Sequence, residues 1–235
     1  MKRVVTLAFV SLLLAVAANA STSKAIFAFT YSPYQLGDVE LQTNNGNFVA
    51  TNTGWYDIGG NHGAANPDYI VGLCGSSDSC NGGDDVFNNF FAFNGQTGVT
   101  SATLSVYLPN PGAIYPGLSA FYCNCTSLTY QLWDVSTPVA TLVADNSGAT
   151  SIFSDLESGL NFGSVVVTPA EQGTQILITL DAAAIASINA AGANGDQWAV
   201  GGSIYGAQSP EPGTLVMFGS GLLGLAGLAR RKFKV

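Results

Sequence analysis

The residues best suited to chemistry lie together in one polar segment. Asp78, Asp84 and Asp85 stand within an eight-residue stretch that also contains Asn81 and two glycines. Carboxylate and amide oxygens are the ligands that calcium prefers, and glycines let a loop bend around an ion. The segment is therefore a candidate calcium site, although it lacks the spacing and the terminal glutamate of an EF-hand. The alternative is a polar loop that is held by a disulfide.

A second candidate is the aromatic pair Trp55 and Tyr56, which lies in a glycine-containing segment. Sugar rings present apolar faces, so exposed tryptophan and tyrosine side chains can serve as a platform for a glycan. The alternative is that both rings pack in the core, where large aromatic side chains bury most of their area.

Catalytic motifs are absent from the sequence. His62 is the single histidine, and its Gly/Asn surroundings predict a solvated loop residue. There is no Gly-x-Ser-x-Gly, His-Glu-x-x-His or Gly-x-x-x-x-Gly-Lys pattern. A glycoside hydrolase needs two suitably spaced carboxylates, and Glu40, Glu157 and Glu171 have no recognisable catalytic context. We therefore expect no enzymatic activity and no cofactor besides calcium at the polar loop.

The N-terminal segment has the features of a secretory signal peptide. Lys2 and Arg3 precede an apolar run over 4–18, and Ala18 and Ala20 give the small-x-small pattern of a cleavage site. We expect cleavage after Ala20, so that the mature chain begins at Ser21. A retained signal anchor is the alternative, but the apolar run is short for a membrane span.

The C-terminal segment has three parts in a fixed order. Pro210, Glu211 and Pro212 are followed by an uncharged stretch over 213–229 and then by basic residues that begin with Arg230 and Arg231. Seventeen residues are close to the lower length limit of a transmembrane helix, and the basic cluster would stay on the cytoplasmic side. A permanent anchor is one interpretation, although the five glycines of the stretch weaken it.

These C-terminal residues resemble a PEP-CTERM sorting signal. The resemblance lies in Pro210-Glu211-Pro212, the Gly- and Leu-rich run over 219–228 and Arg230-Arg231. It implies a Gram-negative bacterium, recognition by a membrane-embedded exosortase, removal of the tail, and export to the envelope or an exopolysaccharide matrix. Residues 84–93 with 100–106 also look like a stretch of secreted bacterial β-sandwich surface proteins. Neither resemblance assigns a chemistry to the body of the chain.

Charge is divided unevenly along the chain, because six of the seven Lys and Arg residues lie in the two terminal segments. Residues 21–209 contain fourteen carboxylates and one lysine, a net charge of about −13. This charge disfavours nucleic acid and anionic lipid surfaces as partners of this part, and we expect no nucleic acid partner. We expect one domain over 21–209, between a signal peptide at 1–20 and a sorting signal at 210–235.

The four cysteines form two clusters, Cys74 with Cys80 and Cys123 with Cys125. An even number of cysteines in an exported chain predicts two disulfides, and we favour pairs that join the clusters. Sequence alone leaves the connectivity open. A four-thiolate zinc site is the alternative, but its spacings differ from those of zinc knuckles.

Apolar residues alternate with polar ones in several segments, which predicts strands with one buried face. The clearest are 101–108, 128–132 and 175–180, and short apolar runs at 25–31, 69–73, 90–93, 139–143, 165–167 and 198–204 predict further strands. One helix is expected over 182–191, with Asp181 as N-cap and Gly192 as C-cap. The fold class is a mainly β antiparallel sandwich or jelly roll with one short helix, besides the two hydrophobic terminal segments.

Together these features predict an exported, non-enzymatic protein of the cell surface or of an exopolysaccharide matrix. Its expected partners are the secretion machinery, signal peptidase, an exosortase-like enzyme and exopolysaccharide. The alternatives are a calcium-assisted carbohydrate-binding module and a hydrolase that acts on a polysaccharide.

Overall fold

The computed structural model describes residues 26–29, 39–74, 85–108, 121–122 and 127–205. Strands dominate these residues, as the alternating pattern predicts. In chain order they are β1 Ile26–Phe29, β2 Val39–Thr43, β3 Gly46–Val49, β4 Asn52–Asp57, β5 Tyr69–Cys74, β6 Asp85–Asn94, β7 Ala102–Leu108, β8 Phe121–Tyr122, β9 Leu128–Asp134, β10 Asn161–Val167, β11 Thr174–Thr179 and β12 Gln197–Tyr205.

The described strands form two sheets, and all of their pairings are antiparallel. The larger sheet has the order β10-β9-β12-β6-β5-β1-β8, and β4 also pairs with β6. The smaller sheet has the order β11-β7-β2-β3. This arrangement confirms the predicted fold class, a mainly β protein with antiparallel sheets and few helices.

The main core contains the side chains that alternation assigns to the buried face. Leu104, Val106 and Leu108 on β7 are fully buried, and so are Tyr130 and Leu132 on β9. Strand β11 contributes its own buried side chains to the same cluster. The period-2 pattern therefore identifies the inward face of each of these strands correctly.

Three helices occur in the described part of the chain, where one was predicted. They are α1 Val139–Leu142, α2 Thr150–Asp155 and α3 Ala182–Asn194, and Pro169–Glu171 forms a short 3₁₀ helix. The prediction of a strand over 139–143 is wrong, because this run forms α1. The run follows Pro138, whose fixed φ suits the residue before a first helical turn.

Helix α3 begins as predicted and ends later. The Asp181 carboxylate accepts a hydrogen bond from the Ala184 N–H, as an N-cap should. The C-cap is Gly195, whose φ of +73° is left-handed, so the prediction of Gly192 is wrong. Gly192 instead packs against the backbone of Gln96, where an added Cβ would lie 2.3 Å from main-chain atoms.

A second hydrophobic cluster lies on the other face of β6. Phe91 and Phe93 belong to the main core, whereas Phe90 and Ala92 belong to a separate cluster. Helices α1 and α2 cover this second cluster, which comprises Tyr56, Phe90, Ala92, Leu142, Ile152, Phe153, Leu156 and Ala199. Strand β6 is therefore buried on both faces, which explains why its apolar residues run continuously instead of alternating.

Candidate functional site

Trp55 and Tyr56, the predicted glycan platform, are consecutive residues of β4, so their side chains lie on opposite faces of the strand. Tyr56 is fully buried, donates a hydrogen bond from its hydroxyl to Leu142 O at 2.9 Å, and accepts one from Asn146 Nδ2 at 2.7 Å. Its ring therefore has no face available to a sugar, which corrects this part of the hypothesis. Tyr56 instead fastens α1 to the outer side of the larger sheet.

Trp55 is partly exposed and packs edge-on against Phe87, with ring centroids 5.2 Å apart. Its indole Nε1 is buried and has no hydrogen-bond partner. Buried indole N–H groups are usually paired, so this donor raises the cost of burying the ring. Whether Trp55 contacts a ligand remains a prediction.

His62 is buried, which makes the prediction of a solvated loop residue wrong. It is 6% exposed and stacks on Tyr56 with ring centroids 4.9 Å apart. Its Nδ1 lies 2.8 Å from Trp55 O. Burial lowers the pKa of His62, while carbonyl groups of Trp55 and Val143 and the charge of Asp145 oppose that effect. The imidazole is consequently held in its neutral form by its surroundings.

The loop that carries His62 is joined to the segment after α1 by reciprocal backbone hydrogen bonds. His62 N–H donates to Asn146 O at 3.0 Å, and Asn146 N–H donates to His62 O at 3.1 Å. Ala64 N–H donates to the Asp145 carboxylate at 2.7 Å. Since these bonds occupy the polar groups around the histidine, His62 has a structural role and is poorly placed to act as a general base.

Several carboxylates in the described part of the chain accept hydrogen bonds from N–H and O–H donors, and residues 26–205 contain no Lys or Arg to pair with them. Asp155 accepts hydrogen bonds from the main-chain N–H and the hydroxyl of both Ser136 and Thr137. Burial alone would raise the pKa of Asp155, but these bonds outweigh it and lower the pKa. Burial and the nearby charge of Asp155 raise the pKa of Asp134.

Asp68 is a different case, because part of its carboxylate is buried without a donor. Its Oδ1 has no hydrogen-bond partner, and its main-chain N–H donates to Asn66 Oδ1 at 3.0 Å. Burial raises the pKa of Asp68 from 3.8 to about 6. The segment before β5 therefore contains a carboxylate that is destabilised in its charged form at neutral pH.

The smaller sheet presents mostly uncharged side chains on the face that points away from the main core. The β-strand register places Leu177, Ser105, Glu40 and Val49 in one row across the four strands. Neighbouring strands lie about 4.8 Å apart, so the face is about 14 Å wide. We call it the amide face; its members are Glu40, Gln42, Asn47, Val49, Thr103, Ser105, Tyr107, Gln175, Leu177 and Thr179.

One side chain of the amide face is held by another. Ser105 is 3% exposed and donates its hydroxyl to Gln175 Oε1 at 3.0 Å. This bond orients the Gln175 amide through its oxygen and does not use its NH₂ group. Leu177 beside it is 56% exposed. Sequence analysis placed Ser105 and Gln175 on the solvent side of predicted strands, but it predicted no strand over the segments that form β2 and β3.

Most of the predicted site residues lie outside the described part of the chain. Asp78, Asp84, Cys80, Cys123 and Cys125 are outside it, as are the processing residues Ala18, Ala20, Ser21, Pro210, Glu211, Pro212, Arg230 and Arg231. Cys74 and Asp85 are described only as paired backbone positions of β5 and β6. The calcium site and the disulfides therefore remain predictions. Among the side chains that the structure describes, no group of three or more His, Cys, Asp or Glu is placed to hold a metal ion.

The described residues define the class, an antiparallel β-sandwich protein. Its most specific assignment comes from the C-terminal segment, where residues 210–232 match the family model of the PEP-CTERM protein-sorting motif. This match confirms the resemblance and shows that the chain carries such a motif. No curated protein and no solved structure matches the chain.

The sorting motif implies export, a membrane-anchored sorting signal of Gram-negative bacteria, and processing by an exosortase, which is a membrane enzyme. The predicted membrane segment, 213–229, lies outside the described residues. Within the described part of the chain, no helix combines the length and the apolar character needed to span a bilayer.

Proposed function

We propose that this protein is an exported, non-enzymatic component of the cell surface or of an exopolysaccharide matrix. The observation that carries the proposal is the PEP-CTERM motif at 210–232, which follows a folded β-sandwich. In this scheme the sorting signal holds the chain at the inner membrane until an exosortase-like enzyme removes it. The body is then released to the outer envelope or to the matrix.

The environment of the described carboxylates supports a role without catalysis. A glycoside hydrolase needs one carboxyl group that is free to protonate a leaving group and a second that is free to attack or to activate water. Asp134 and Asp155 interact electrostatically, but Asp155 already accepts four hydrogen bonds from the turn after β9. An acceptor occupied in this way stabilises the turn and is poorly suited to proton transfer.

The charge distribution supports the same proposal. Net charge of about −13 on residues 21–209 keeps the exported body soluble and repels it from nucleic acid and anionic lipid. All the described carboxylate hydrogen bonds named above come from the body itself. Removal of the basic terminal segments would therefore leave those bonds in place.

Intact mass spectrometry of the chain recovered from envelope and medium tests the proposal. We expect loss of residues 1–20 and of everything beyond about Pro212. A variant with Pro210, Glu211 and Pro212 all changed to alanine should keep its C-terminal tail and remain in the membrane fraction. Ser209→Ala, just outside the motif, is the matched control and should be processed normally.

Three results would contradict parts of this proposal. A wild-type chain that keeps its tail at the surface would be a permanently anchored protein. A chain that remains reduced in the cytosol with both terminal segments would not be exported at all. Release of reducing ends from the matrix polysaccharide, lost on substitution of a single carboxylate, would establish a hydrolase.

A further inference from the structure

We propose that the amide face of the smaller sheet binds an uncharged, hydroxyl-rich polysaccharide. This inference deepens the proposed function and rests on it, because a matrix protein must contact the matrix polymer. The site is distinct from Trp55 and Tyr56, which lie on the larger sheet. It is also distinct from the predicted calcium loop, which lies outside the described residues.

The chemistry of the amide face suits the alternating polar and apolar surfaces of a sugar chain. Gln175, fixed by Ser105, presents an NH₂ donor, and Thr103, Thr179 and Gln42 supply further donors and acceptors that are partly or fully exposed. Carbohydrate hydroxyls both donate and accept, so uncharged amides and hydroxyls are their matched partners.

The amide face also contains apolar side chains that a ligand can contact. Leu177 is directly beside Ser105 on the neighbouring strand, and Tyr107 lies one row away from Ser105 on β7. The partly exposed Tyr107 ring and the exposed Leu177 side chain can pack against the C–H faces of sugar rings. Because all of these residues stand on paired strands, the platform is held rigid before a ligand binds.

Charge selects among the polymers that such a surface can bind. The amide face has one carboxylate, Glu40, and no cation, and the whole segment 26–205 lacks Lys and Arg. An anionic polysaccharide or a nucleic acid would be repelled by the acidic body without any compensating cation. A neutral polymer is not repelled by the acidic body and needs no cation to bind. It is therefore the favoured ligand of this face.

A protein partner fits the amide face less well than a glycan does. Stable protein interfaces bury about 800 Å² on each side around an apolar centre. The apolar side chains of this face are the diagonal neighbours Leu177 and Tyr107, and Val49, which Ser105 and Glu40 separate from Leu177. Isolated apolar contacts of this kind suit sugar rings better than a continuous hydrophobic interface.

Affinity electrophoresis tests this inference with the full-length chain in non-ionic detergent. Native gels would contain hydroxyethyl cellulose, galactomannan or dextran as neutral probes, with alginate as the anionic comparison. We expect at least one neutral polymer to retard the wild-type chain, and alginate to have no effect. Gln175→Ala and Leu177→Ala should each raise the dissociation constant about fivefold to tenfold, since each removes one favourable contact.

Two variants on the larger sheet and its flanking loop are matched controls. Leu160 is 60% exposed, close to the exposure of Leu177, and Leu160→Ala removes the same side chain away from the amide face. Gln131→Ala removes a partly exposed strand glutamine from β9. Both should bind like the wild type. Circular dichroism melting of all four variants establishes that the sheet remains folded.

Several outcomes would overturn the inference. No retardation in any neutral gel, equal retardation of all four variants, or stronger retardation by alginate would each do so. Concentration-dependent dimers in sedimentation, lost in Leu177→Ala, would make the face an interface between copies instead. A processed surface protein that ignores all neutral polymers would refute only this inference, whereas an unprocessed cytosolic chain would refute the proposed function, whatever it binds.

Discussion

The half-buried carboxylate of Asp68 gives a prediction about stability that depends on pH. Asp68→Asn removes the charge and keeps the shape of the side chain. The pKa of Asp68 is raised by burial from 3.8 to about 6, and its Oδ1 has no donor. A pKa shift of this size corresponds to a free-energy difference of about 3 kcal/mol between the charged and neutral forms. Since Asp68 is only half-buried, solvent screens part of this difference, and we expect about 1 kcal/mol.

The sign of the effect follows from proton linkage. The pKa of Asp68 is higher in the folded state than in the unfolded state, so the folded state binds the proton more tightly. The favourable contribution of Asp68 to the free energy of unfolding is fully present below about pH 3.8. It is lost as the pH rises through about 6. Asp68→Asn should therefore be more stable than the wild type by about 1 kcal/mol at pH 7.5, and this advantage should vanish at pH 4.

Urea unfolding at pH 7.5 and pH 4, followed by tryptophan fluorescence, measures this difference. Asp196→Asn changes an exposed aspartate and is the control, with an expected change below about 0.5 kcal/mol at both pH values. Asp68→Asn that is less stable than the wild type at pH 7.5 would refute the reasoning. That result would mean that a donor or a cation stabilises the charged carboxylate.

Three further predictions concern other described residues. Asp155→Ala removes the acceptor of four hydrogen bonds from the turn after β9 and should cost about 2 kcal/mol in urea unfolding. Gly202→Ala would place a Cβ 2.1 Å from the Tyr130 hydroxyl oxygen, so its melting temperature should fall by several degrees. The pKa of His62 is lowered in the folded state, so the stability of the wild type relative to His62→Phe should fall as the pH drops below about 6.5.

Some strand positions were predictable because burial on one face imposes a period of two, but β2, β3 and β4 were not predicted. Alternate residues of β7, β9 and β11 are buried over most of each strand, and the buried apolar side chains belong to the main core. Sequence did not reveal the second hydrophobic cluster beyond β6. Its one signal was the unbroken apolar run Phe90–Phe93, which indicates burial on both faces.

The residues that sequence analysis placed wrongly belong mainly to this second cluster. His62 and Tyr56 are ordinary loop and strand residues by pattern, and they become buried only because α1 and α2 cover the larger sheet. The run over 139–143 is too short for periodicity to distinguish a strand from a helix. Long-range packing decided all three positions, and local sequence contains little information about it.

The amide face also depends on long-range structure that local sequence does not encode. Alternation correctly placed Gln175 and Thr179 on the solvent side of β11, but the amide face exists only because β11, β7, β2 and β3 bring separate segments of the chain into register. A binding surface on a sheet is a property of strand order, which local patterns do not encode.

The distribution of charge links the fold to the sorting motif. Residues 26–205 have no Lys or Arg, and carboxylates such as Asp181 at the start of α3 and Asp155 after β9 are stabilised by hydrogen bonds of caps and turns. Hydrogen bonds of this kind are local and belong to the body of the protein. The basic residues are concentrated next to hydrophobic segments, where they orient a chain in the membrane. A body that needs no ion pair with those segments can lose them on export and keep the hydrogen bonds that stabilise its carboxylates.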